Sequence, residues 1–65
     1  MNEPIMQFFR YAHLPEHLKE VSMLFADLAH DIVAVLPRNP ERTVALRKLL
    51  EAKDAAVRAR LFEES

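Results

Sequence analysis

The chain predicts an all-α fold, an antiparallel hairpin of two helices, and three observations carry that reading. Residues from Asn39 to Phe62 open with a helix start and then run without a glycine or proline. The stretch before them repeats apolar residues at alternating spacings of three and four. Between the two lies Pro37-Arg38-Asn39-Pro40, short enough to allow only a tight reversal. The 65 residues form a single domain, 1–65.

Residues 1–4 are expected to fray, as chain ends do. Residues 5–12, IMQFFRYA, bring Ile5, Met6, Phe8, Phe9 and Tyr11 together. This aromatic arm is too short to be stable alone. As an extended strand or a helical turn it needs a surface to lie on. Three adjacent rings suggest a pocket or a subunit interface; the plainer reading makes Phe8 and Phe9 caps on the hairpin core. Tyr11 is more open, because a buried hydroxyl wants a polar partner.

The first helix is expected over about residues 15–36, with Pro15 in its first turn. Leu18, Val21, Phe25, Leu28, Ile32 and Val35 follow a coiled-coil-like spacing. Leu24, Ala29, Val33 and Leu36 flank them. The apolar face is thus wider than one partner helix needs. Its polar face is acidic, with Glu16, Glu20, Asp27 and Asp31 against Lys19 alone. The reversal occupies residues 37–39, and a connection this short makes antiparallel neighbours.

The second helix is expected over about residues 40–62. Asn39 is a good N-cap, and Pro40 suits the first helical position, where a missing N–H costs nothing. Glu41 then sits in the first turn, favoured by the helix dipole. Alanine, leucine, arginine, lysine and glutamate dominate, all good helix formers. Arg42, Arg47, Lys48, Lys53, Arg58 and Arg60 are six of the chain's nine basic residues. Their charge favours pairing with the acidic first helix. Ala45, Leu49, Ala52, Ala56 and Ala59 form a stripe of mostly small residues, with Leu46, Leu50, Val57 and Leu61 beside it.

Composition narrows the function classes. The formal net charge of −1 argues against a general nucleic-acid coat and a DNA-binding regulator. There is no cysteine, hence no disulfide and no thiolate ligand or nucleophile. No apolar run is long enough for a membrane span, and the first residues hold no signal-peptide core, so a cytoplasmic protein is expected. Two helices share one mutual seam. A chain this small, without disulfides or metal, is therefore expected to bury its remaining apolar face against copies of itself as a homo-oligomer.

No catalytic constellation is present, and no enzyme or cofactor is expected. The chain has no glycine, so no phosphate-cradling loop can form. His13 and His17 are four apart but straddle Pro15, and His30 has only Asp27 and Asp31 nearby. Each group falls short of the convergent ligands zinc takes, and no metal site is expected. Basic side chains with aromatic rings remain, a combination suited to an anionic ligand carrying stackable bases. Helical ion pairs from Asp54 to Arg58 and from Arg47 to Glu51 are the alternative use of those arginines.

The segments FRYAHLPEHL, VSMLFADLA and LPRNPERTVALRKLLEAKDAAVRA resemble a phage protein family. It is the hairpin domain shared by anti-CBASS and anti-Thoeris sponges, and the resemblance covers about residues 8–60. It implies a small helical homo-oligomer, commonly a hexamer. Such proteins sequester cyclic di- or trinucleotides, or cyclic ADP-ribose type signals, in the cytoplasm of an infected bacterium without degrading them. In the anti-CBASS members a tyrosine in a Gly-Tyr-Arg-x-Leu stretch helps hold a cyclic dinucleotide at a protomer interface, and its counterpart is Tyr11. Arg10 replaces the glycine and Ala12 the arginine. The lysine that completes that pocket would fall at Ala26. Val57-Arg58-Ala59 matches a Val-Arg-Ala whose arginine serves a separate trinucleotide site. The resulting ligand-binding candidates are Tyr11, His13 and Arg58, with Arg42 and Lys48 as helpers. The competing expectation is a helical protein–protein interaction module with no nucleotide ligand.

Overall fold

The computed structural model describes residues 4–62. A 3-10 helix spans Pro4–Phe9, α1 spans Glu16–Val35 and α2 spans Pro40–Leu61. The two long helices pack antiparallel, so that Arg60 near the end of α2 lies beside Glu20 near the start of α1, N–O 3.8 Å. The expected fraying falls mostly outside the described residues; Pro4 already belongs to the 3-10 helix.

The chain's lack of glycine governs how α1 ends. A glycine C-cap turns left-handed and returns backbone N–H groups to the last carbonyls. Here no described residue has a positive φ. Instead Leu36, forced out of the helical region by Pro37, takes φ −98° and ψ 145°. Its N–H still donates to the Ile32 carbonyl at 3.0 Å. Other carbonyls of this last turn take their donors from α2. Arg42 Nη1 donates to the Val33 carbonyl at 3.2 Å and to the Leu36 carbonyl at 3.1 Å.

The N-terminus of α2 forms as its cap chemistry requires. Asn39 Oδ1 accepts from the Arg42 N–H at 2.9 Å, with Pro40 behind it. Arg42 therefore joins both helix ends, its backbone capping α2 and its side chain capping α1. α1 starts differently: Pro15 is itself the N-cap, and its carbonyl accepts from the Leu18 and Lys19 N–H groups at 3.0 and 2.8 Å.

The buried seam follows the apolar spacing in part: Val21 is buried and Phe25 and Ile32 pack against the core, but Leu28 and Val35 do not. Val21, Ser22, Ala26 and Ala29 are the buried residues of α1, while Leu24 is 67% and Val35 78% exposed. Leu28 is exposed as well. On α2 the buried side chains are Leu46 and Arg42, and Ala52, Ala59 and Leu61 face outward. The cause is the arm. Phe9 is 1% exposed and clusters with Ala26, Ala29 and Leu46. Small residues on α1 leave room for one ring and one leucine to share the seam. Phe8, 55% exposed, contributes nothing comparable. The two expected ring caps thus reduce to one.

Candidate ligand cavity

Past Phe9 the chain leaves the 3-10 helix and turns, with the Leu14 N–H donating to the Tyr11 carbonyl at 3.0 Å. This turn stands over one edge of α1 and encloses an open cavity of about 390 Å³. Met6, Phe9, Arg10, Tyr11, Ala12 and His13 line it from the arm, and Ala26 and His30 from α1. Ala26 and His30 are four apart, so they share one helical face.

The lining divides chemically. Met6, Phe9, Ala12 and Ala26 are apolar. Arg10 supplies a fixed positive charge and planar donors, His13 and His30 each supply a ring nitrogen donor, and Tyr11 supplies a ring and a hydroxyl. Among the described residues no carboxylate lines the cavity. The arrangement suits a partly aromatic ligand bearing negative charge, in a volume within the range of small-molecule sites.

The structure brings two of the sequence candidates, Tyr11 and His13, to this cavity and adds Arg10 and His30. Arg10 was legible only as the residue standing in place of the resemblance's glycine. His30 drew notice as a metal candidate, yet no group of three or more His, Cys, Asp or Glu able to hold a metal occurs among the described residues.

The other three candidates lie elsewhere. Arg58 is exposed in the last turn of α2, where a cation favours the dipole in any case. Its expected pair with Asp54 is not formed among the described residues. Lys48 is exposed and pairs with Glu51 at 3.8 Å, taking the partner expected for Arg47. Arg42 requires correction. It is only 7% exposed, with its guanidinium committed to the carbonyls that end α1, so it has no role at the cavity.

Among the described residues these features define an all-helical hairpin with a folded aromatic arm and a cavity beneath it. No protein-family model, curated protein or solved structure matches the chain. No helix among the described residues is long and apolar enough to cross a membrane.

Proposed function

We propose that this protein is a phage anti-defence sponge, a homo-oligomer that captures cyclic nucleotide immune signals without degrading them. The observation that carries the reading is the cavity's lining: a tyrosine, two imidazoles and a guanidinium around an apolar floor, with no carboxylate among the described residues. A nucleotide asks for a stacking surface and donors to phosphate, and this lining offers both. Ala26 stands where the sponges that the chain resembles carry a lysine, a departure from their dinucleotide pocket, and Arg10 supplies a cation to this cavity instead.

In this reading Tyr11 stacks on or hydrogen-bonds a base, Arg10 meets phosphate, and His13 and His30 donate to the ligand from opposite walls. Arg58 serves a second, separate phosphate contact between protomers, with Lys48 as a weaker helper. The protein acts in the bacterial cytoplasm during infection. Isothermal titration against cyclic di- and trinucleotides and cyclic ADP-ribose variants tests the proposal, with native mass spectrometry reporting stoichiometry. Binding by at least one of these ligands is expected, and silence across the panel defeats the reading.

A second reading, a protein-interaction module without a nucleotide ligand, draws on the exposed Leu24, Leu28 and Val35. It predicts a monomer that ignores the ligand panel and assembles only with another protein. The sponge predicts an assembly of identical chains.

A further inference from the structure

The cavity owes most of its wall to the arm. Six of its eight lining residues come from the 3-10 helix and the turn after it. Buried Phe9 anchors the arm, with Ile5, Met6 and Tyr11 partly buried against the same cluster. A polar attachment comes from α2, none of whose described residues line the cavity. Lys53 Nζ donates to the Phe8 carbonyl at 2.6 Å, across 45 positions of sequence. Carbonyls at the end of a short helix lack intrahelical donors and carry the negative end of its dipole. An ammonium there makes a charge-assisted bond at the residue that leads directly into the cavity wall.

We infer that Lys53 is the positioning residue of the cavity, a strut from α2 that holds Phe9, Arg10, Tyr11 and His13 in ligand-binding register. The inference rests on the proposed function for its consequence, but not for its geometry. Lys53 does not line the cavity, so it acts through the arm rather than on a ligand. It is also separate from the hydrogen bonds that join α2 to α1, which run from Arg42 to the Val33 and Leu36 carbonyls and from Arg60 Nη1 to the His17 carbonyl at 3.4 Å. Losing the strut therefore loosens the arm while leaving α1 and α2 paired.

Tyr11 makes this measurable. It is the sole tyrosine of a chain without tryptophan, so intrinsic fluorescence excited in the tyrosine band reports the arm. In the full chain, Lys53→Met keeps the aliphatic stem and removes the donor, and Lys53→Arg restores a cation. Lys53→Met is expected to raise acrylamide quenching of Tyr11 at unchanged helical circular dichroism, with Lys53→Arg returning it towards wild type. Affinity for the best cyclic nucleotide should fall about tenfold in Lys53→Met, the lower range for a hydrogen bond to a charged group. It should recover in Lys53→Arg. Quenching that Lys53→Met leaves unchanged overturns the strut, as does quenching that rises without recovery in Lys53→Arg. Loss of helical signal in Lys53→Met also overturns it, since the residue would then support the hairpin as a whole. If quenching responds as expected but the wild type binds no nucleotide, the strut stands and the sponge reading falls.

Discussion

Single side chains here have consequences out of proportion to their number. Arg42 satisfies helix-end carbonyls that a chain without glycine cannot close by a left-handed turn. Arg42→Met should destabilise the fold by about 1–3 kcal/mol in denaturant melts at fixed chain concentration, because part-buried carbonyls lose a charged donor. Arg42→Lys should recover little of that, since a point ammonium replaces a planar fork. Ser22 is the opposite case. Its hydroxyl is fully buried in the seam and has no hydrogen-bond partner. Ser22→Ala removes an unsatisfied group at almost constant volume and should stabilise by about 1 kcal/mol in the same melts. Neither role could be read from sequence. The sequence suggested Arg42 as a helper in ligand binding, and it held no signal that would place Ser22 in the seam.

At the level of elements, the helix boundaries were legible because cap chemistry acts within a few residues. Asn39-Pro40 marks the start of α2 in sequence and in structure. Asn39→Ala should lower stability by about 1 kcal/mol, the usual worth of an N-cap. The rotation of α1 was legible in part: of the seam expected from spacing, Val21, Phe25 and Ile32 lie in or against the core, while Leu28 and Val35 are exposed. The arm makes the difference by inserting Phe9 beside Ala26 and Ala29. Phe9→Ala should therefore cost about 3–5 kcal/mol, whereas Phe8→Ala should be nearly neutral, although the two rings are adjacent in sequence. Thermal melts of the two variants separate these outcomes.

The whole molecule is a rod of 44 × 21 × 17 Å. Its accessible surface of 4,925 Å² exceeds the roughly 4,200 Å² that scaling predicts for a compact monomer of 7.5 kDa. The excess goes with a row of uncovered apolar residues on α1: Leu24, Leu28 and Val35. They recur four and seven apart, so they share one face. In the proposed homo-oligomer, copies of the chain cover this row. Leu24→Glu with Leu28→Glu should then lower the mass found by sedimentation, while the melting temperature of the wild type should rise with chain concentration. A wild type that stays monomeric and melts at one temperature at every concentration would remove self-association from the proposal. The candidate site was half legible at this scale. Tyr11 and His13 were visible in sequence, but their convergence with Arg10 and His30 depends on how the arm lies against α1.

The sequence by itself determined that there are two helices, where they start and stop, that they turn back on each other, and that one is acidic and the other basic. Those properties come from interactions between residues a turn or less apart. The tertiary structure decided which faces meet, that Arg42 and Arg60 join the two helices while Arg58 stays outside, and that a cavity exists under the arm. Each of these is a choice among faces that are locally almost equivalent. It is made only when Phe9, Leu46 and the small residues of α1 compete for one volume.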